Sequence, residues 1–284
     1  MSETVIGLLH PGEMGTAVGR CLTGVGHRVL WASEGRGPES AARARGAGLE
    51  DVGTAAEMAD RADVILSILP PHAALDMAWA VQGFGGIFLD ANAIAPTTAR
   101  EIARMISDGG GSYVDGGIIG PPPAAPGSTR LYLSGPQAGE VRALFRASPL
   151  GAQVISGSTT AASAVKMAYA AWTKGSSALL LTARALARAE GVEETLLAEW
   201  ALSQPGLAAR SAGSAQAASA KGWRWVGEME EIAASMAAAG LPDGFHQAAT
   251  EVFRRAPHAG PAAAPADDIV QAVLAALIGD SPPD

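Results

Sequence analysis

Only three lysines occur in 284 residues, Lys166, Lys174 and Lys221, and arginine supplies the rest of the 20 basic side chains. Where arginine does the ordinary surface work, a lysine marks a place for an amine that gains and loses a proton. Burial disfavours the ammonium form, whereas a guanidinium stays charged. Lys166 has the setting for this. Ala161, Ala162, Ala164 and Val165 precede it and Met167, Ala168 and Ala170 follow, an apolar helical run able to depress its pKa towards the range of a general acid or base. Tyr169 follows one turn later, beside it on a helix, as a second proton donor or as ordinary packing. Lys174 lies about 80° around the helix at ~100° per residue, on broadly the same side, as a further catalytic amine or an ion-pair partner. Taken alone, Lys166 reads equally as a lysine snorkelling from the edge of a buried helix.

The second constellation is GLLHPGEMGTAVG at 7–19, between a strand pattern and a helix pattern. A dinucleotide fold needs glycines there for a tight turn, for close backbone approach to a pyrophosphate and for close helix–sheet packing. The helix N-terminus then adds N–H groups and the positive end of its dipole. Gly12 and Gly15 supply the second and third glycines of GxGxxG, and His10 replaces the first. A glycine pattern is weak by itself and gains weight from its place after the first strand of an alternating α/β chain. His10 reads as a turn residue near the phosphates. The tip of the second strand selects the dinucleotide. It reads Ala32-Ser33-Glu34-Gly35-Arg36, with no acid at the tip itself, and Ser33 and Arg36 suit a 2′-phosphate. That favours NADP(H) over NAD(H), although Glu34 is close.

These groups need elements to hold them. Thr4–Leu9, Arg28–Trp31, Asp63–Leu69, Gly86–Asp90, Ser112–Asp115 and Thr129–Ser134 read as strands. Helical patterns such as Pro71–Val81 and Pro96–Ser107 lie between them. Continuous apolar strands separated by helices predict a doubly wound, mostly parallel Rossmann sheet with helices on both faces. From about Ser158 no strand is evident. A long Ala/Leu-rich helix over Thr160–Glu190 is stopped by Gly191, and helical segments follow near 193–203, 207–220, 225–239, 243–255 and 266–278. The predicted organisation is a dinucleotide-binding domain over 1–156 and an all-helical domain over 157–284. The terminal GDSPPD reads as a frayed tail.

Composition narrows the classes. With 28 acidic against 20 basic residues the net charge is −8, which argues against nucleic-acid binding. A 17% charged and 48% hydrophobic composition excludes a disordered chain. The lone Cys21 rules out an internal disulfide, and His246 and His258 lack acids in ligand spacing, so no metal site is expected. No basic segment precedes an apolar core at the N-terminus, and no apolar run approaches the ~20 residues of a membrane span. A cytoplasmic chain without membrane partners is expected.

Five blocks in order carry a resemblance over nearly the whole chain: HPGEMG (10–15), DVILSILPP (63–71), DANAIAPTTAREIA (90–103), YVDGGIIGPPPAAPGSTRLYLSG (113–135) and SAVKMAYAAWTKG (163–175). With them the chain resembles the β-hydroxyacid dehydrogenase superfamily, which includes 3-hydroxyisobutyrate, tartronate-semialdehyde and 6-phosphogluconate dehydrogenases. Its HPGEMG and AVKMAYAAWTKG versions of the first and last blocks resemble a branch described as phosphogluconate-dehydrogenase-like NAD(P)-dependent oxidoreductases. The resemblance implies a cofactor held by His10, Pro11, Gly12, Glu13, Met14, Ser33, Arg36, Leu69, Pro70 and Asn92, with Asn92 also readable as a turn cap. It implies a substrate loop at Gly117, Ile118, Ile119 and Gly120, and a catalytic Lys166 that protonates or deprotonates the substrate oxygen. A homodimer through the helical domain is also implied.

Two departures bear on substrate. Ile119 stands where the family has a serine, and Ala170 where it has the asparagine four residues after the lysine. Both losses point to a larger or less polar substrate. Trp172, Trp200, Trp223 and Trp225 fit either helix packing or a hydrophobic substrate pocket, with Trp172 the candidate for substrate contact. Other readings of the chain are an imine reductase, and an NADPH-binding sensor that has lost catalysis.

Overall fold

The computed structural model describes residues 4–258 and 265–279. Residues 280–284, most of the expected terminal tail, lie outside them. Eight strands form one sheet in the order β3-β2-β1-β4-β5-β6-β7-β8, with β1 Val5–Leu8, β2 Arg28–Trp31, β3 Glu50–Asp51, β4 Val64–Ser67, β5 Ile87–Asp90, β6 Ser112–Ile119, β7 Arg130–Ser134 and β8 Gly151–Val154. The first six run parallel in the Rossmann order. β7 turns back antiparallel to β6, and β8 runs parallel to β7. The expected doubly wound, mostly parallel sheet followed by helices is therefore what the chain forms.

The strands are apolar throughout because both faces are covered. On one face Ile6, Leu8, Val29, Leu66 and Val114 pack with Val18, Cys21 and Leu22 of α1 (Glu13–Gly24) and Val141 of α6 (Ala138–Leu144). On the other, Leu30, Ile65, Phe88 and Tyr113 pack with Met58 of α3 (Ala55–Arg61), Ala78 of α4 (Ala74–Trp79) and Ile102 and Ile106 of α5 (Pro96–Asp108). Sequence reasoning passed over β3 and β8. Both are short edge strands, Glu-Asp and Gly-Ala-Gln-Val, and neither shows the apolar run of a buried strand.

The chain divides into two compact units, Met1–Met167 and Ala168–Asp284, at a point inside helix α7 (Ala161–Ala189). The second unit continues with α8 (Glu193–Ser203), α9 (Leu207–Ala238), α10 (Gly244–Arg255) and α11 (Ala266–Ile278). The two expected helices near 207–220 and 225–239 are one, because Gly222 does not break α9. It is buried, and a Cβ on it would sit 3.5 Å from the Phe253 carbonyl oxygen. The ~1 kcal/mol that an interior glycine costs a helix is outweighed by close packing on α10, where Trp225 meets Phe253 edge-on with centroids 5.0 Å apart. Among the described residues no helix is long and apolar enough to cross a membrane.

Candidate functional site

The phosphate turn is built as its glycines require. Gly12 caps α1 in an extended conformation (φ −70°, ψ −173°), and no side chain closes the helix end. A Cβ on Gly15 would collide with the His10 carbonyl oxygen, and one on Gly19 would press on Leu49 at 3.1 Å. Such a turn lets a pyrophosphate approach the backbone and the N-terminus of α1, so the residues present fit a dinucleotide. Glu13 and Met14 form the first turn of α1.

Strand register sets the tip of β2 beside the end of β1, with Leu8 opposite Trp31. Burial is the main cause that lowers the His10 pKa, with further lowering by the charges of Arg36 and then Arg43. The His10 Nδ1 is buried without a hydrogen-bond partner. Arg43, in α2 (Pro38–Gly46), was missed by sequence reasoning. It donates from Nε to the Pro11 carbonyl (2.9 Å) and from Nη2 to Ser40 Oγ (3.0 Å), so it holds the turn from outside. Its signal was a second arginine on the helix that follows Arg36. Arg36 itself reaches Met77 Sδ at 3.8 Å, and Ser33 beside it is half-buried.

The structure places Asn92 in a clamp. Buried after β5, it accepts the Leu69 N–H on Oδ1 (2.6 Å) and donates from Nδ2 to Ser67 Oγ (2.8 Å). Its own N–H donates to Asp90 Oδ1 (3.0 Å). The side chain thereby ties the backbone entering Pro70 to the end of β5.

The segment expected as a substrate loop is strand. Gly117, Ile118 and Ile119 belong to β6 and pair with Tyr132, Leu131 and Arg130 of β7, because the hairpin partner extends the ladder past the parallel neighbours. The turn begins at Gly120, whose φ of +128° excludes most side chains and whose Cβ would lie 2.5 Å from the Ser128 carbonyl oxygen. The Ile118 side chain belongs to the core, and Ile119 is buried. The Ile118 backbone points the other way, and Lys166 Nζ donates to its carbonyl oxygen at 2.8 Å.

Helix α7 comes this close because Gly117 lacks a side chain. A Cβ there would lie 2.6 Å from the Ala162 carbonyl oxygen and 3.2 Å from Lys166 Cβ. The start of α7 is held by the sheet. Asp115 accepts the Ser163 N–H (2.7 Å) and the Ser163 hydroxyl (2.5 Å), and Ser134 Oγ accepts the Ala162 N–H (3.0 Å) and faces Asp115 Oδ2 at 3.1 Å. Burial pushes the Asp115 carboxyl up to about 6 against the pull of the Ser163 and Ser134 hydrogen bonds.

The remaining candidates belong to the second unit. Tyr169 and Trp172 are exposed on α7, and Arg210 lies over the Trp172 ring at 5.8 Å. Lys174 forms a largely buried ion pair with Glu228 of α9 and stands 5.8 Å from the centroid of the Trp225 ring. Trp200 is packed, whereas Trp223 is half-exposed.

Residues 4–157 match the family model of the NAD binding domain of 6-phosphogluconate dehydrogenase, and residues 187–256 match a domain of unknown function. Among solved structures, a conserved hypothetical protein from Sinorhizobium meliloti is similar at 26% identity with a TM-score of 0.71, over 96% of each chain. The 3-hydroxyisobutyrate dehydrogenase of Mycobacterium tuberculosis is similar at 18% identity (TM-score 0.68), over 89% of this chain and 93% of that one. A reductive aminase from Aspergillus terreus, solved with NADPH, cyclohexanone and allyl amine, is similar at 20% identity (TM-score 0.57), over 95% and 99%.

Proposed function

The chain belongs to the β-hydroxyacid dehydrogenase superfamily, as an NAD(P)-dependent dehydrogenase-like oxidoreductase, and we propose that it uses NADP(H), with Lys166 as the proton-transfer group. The observation that carries this reading is the Lys166 amine, anchored 2.8 Å from the Ile118 carbonyl beyond the carboxyl end of the parallel sheet. Ligands of open α/β sheets bind at that edge.

When bound, the dinucleotide supplies or accepts the hydride. His10 to Met14 would hold its pyrophosphate, with Arg43 bracing that turn at the Pro11 carbonyl, and Ser33 and Arg36 would favour a 2′-phosphate. In the reductive direction the Lys166 ammonium gives a proton to the substrate oxygen while the carbon gains hydride. In the oxidative direction the neutral amine takes the hydroxyl proton. The Ile118 carbonyl holds the amine in one orientation for both. Ile119 and Ala170, both buried and apolar, stand where relatives place polar substrate contacts, and they favour a larger or less polar hydroxy or carbonyl compound.

A screen of hydroxy acids, aldehydes and cyclic imines with NADPH and NADP tests the reading. Turnover of a carbonyl or hydroxy compound, lost in Lys166→Ala, supports it. Near-normal turnover in Lys166→Ala refutes the mechanism. Turnover of imines alone favours the imine-reductase reading, which the likeness to the Aspergillus reductive aminase motivates. Tight NADPH binding with no turnover favours the sensor.

The protein acts as a homodimer in this reading. Val165, Tyr169, Trp172, Leu179 and Leu186 are exposed along one face of α7 at near-heptad spacing, as an apolar seam for a second copy. Leu179→Glu with Leu186→Glu converts a dimer to a monomer by light scattering. A wild type that is monomeric at micromolar concentration contradicts it.

A further inference from the structure

We propose that Asp115 and Ser134 are positioning residues for Lys166, holding the first turn of α7 on the sheet so that the amine meets the Ile118 carbonyl. The inference rests on the reading of Lys166 as the proton-transfer group and adds to it the residues that aim it.

Most helices are capped by a residue just before their first turn. Three hydroxyl residues, Ser158, Thr159 and Thr160, precede α7 and suit that role. The Ala162 and Ser163 N–H groups nevertheless donate to Ser134 and Asp115, which are 28 and 48 residues away in the chain. A local cap starts a helix but leaves it able to slide on the sheet. A cap carried by two neighbouring strands, whose residues Asp115 and Ser134 are register partners, fixes the helix to the sheet itself.

A second tie lies one turn further along α7, where Lys166 Nζ donates to Ile118 of the same strand. Gly117, between the two ties, removes the side chain that would push α7 away. Loss of the Asp115 tie lets the first turn move while Lys166 stays in the chain. A misplacement of ~1 Å costs about 100-fold in rate.

The scarcity of lysine provides a measurement independent of turnover. Reductive methylation with formaldehyde and cyanoborohydride, read by peptide mass spectrometry, reports the reactivity of Lys166 against Lys174 and Lys221 in the same molecule. It is applied with steady-state kinetics to the full chain carrying Asp115→Asn, Ser134→Ala or Ser134→Thr. Asparagine sets an amide N–H against the Ser163 donors, alanine removes the Ala162 acceptor, and threonine keeps it. The expected result for Asp115→Asn and Ser134→Ala is a Lys166 to Lys221 labelling ratio changed by about threefold or more and a kcat lowered about 10- to 100-fold. NADPH affinity stays within about twofold, and Ser134→Thr restores both readouts.

Folded variants with unchanged labelling and unchanged kcat overturn the inference, as does a fall in kcat without a change in labelling. A changed labelling ratio with unchanged kcat upholds the positioning role and instead refutes Lys166 as the proton-transfer group. Should Asp115→Asn fail to fold, the Ser134 pair carries the same test.

Discussion

Asp90 and Asp115 stand opposite each other on β5 and β6, both buried, with 1% and 0% of their surface exposed. Burial is the main cause that pushes Asp90 up to about 7, and the neighbouring Asp115 charge adds to it against the hydrogen bond from the Asn92 N–H. Two carboxyls this close titrate as a pair. Asp115 accepts from Ser163 and Ser134, and Asp90 accepts on Oδ1 from the Asn92 N–H.

The pair gives stability a definite pH dependence. Unfolded aspartates titrate near pH 4, so between that value and about 7 the folded chain binds more protons than the unfolded one. Stability contributed by the pair falls as pH rises through that window. Asp90→Asn keeps the acceptor for the Asn92 N–H and removes the titration. It is expected to exceed the wild type by on the order of 1–3 kcal/mol at pH 8 and to lose that advantage near pH 5. Urea unfolding at both values checks it, and a variant equally destabilised at both removes the argument.

Gly15→Ala tests the turn. The added methyl meets a backbone carbonyl, which cannot step aside as a flexible side chain would. The expected outcome is a folded protein with NADPH affinity weakened about tenfold or more, read by nicotinamide fluorescence.

Arg36 and Arg43 separate in their effects. Arg36→Glu is expected to weaken NADPH by about tenfold or more while sparing NADH, since it reverses the charge offered to a 2′-phosphate. Arg43→Ala, which releases the Pro11 carbonyl, is expected to weaken both cofactors. Full NADPH preference in Arg36→Glu contradicts the cofactor reading.

Lys174 is expected to matter for stability. Its ammonium and the Glu228 carboxylate are 14% and 17% exposed, so Lys174→Ala strands a buried charge at a cost of about 3 kcal/mol. The double variant Lys174→Met, Glu228→Met is expected to recover most of that and to keep kcat. Loss of kcat in the stable double variant would restore a catalytic role.

What was legible in the sequence follows from range. The strand tips, the glycine turn and the long helix through Lys166 declare themselves in windows of a dozen residues. Gly191, with its φ of +69°, ends α7 where its type predicts. Contacts across the chain were not legible. The partner of Lys174 lies 54 residues away, so the sequence alone leaves this amine open between chemistry and an ion pair. The family resemblance implies a substrate loop at Ile118 and Ile119. Only the partner strand β7, beyond a proline-rich loop, shows that they continue β6. The continuity of α9 across 221–224 was hidden for the same reason, since the α10 neighbour of Gly222 is distant in sequence.

The two ties between β6 and α7 span the same distance in the chain: Asp115 to Ser163 and Ile118 to Lys166 are each 48 residues apart. The chain between them is thus free to change length, while the short steps from Asp115 to Ile118 and from Ser163 to Lys166 are not. Residues added to the exposed Pro-Ala turn at 124–127 lengthen both spans together and leave the amine where it is. One residue added between Ser163 and Lys166 turns the amine by ~100° and advances it by ~1.5 Å, off its carbonyl altogether. Insertions and deletions are therefore tolerated in the β6–β7 turn and excluded from two four-residue windows, one on the strand and one on the helix.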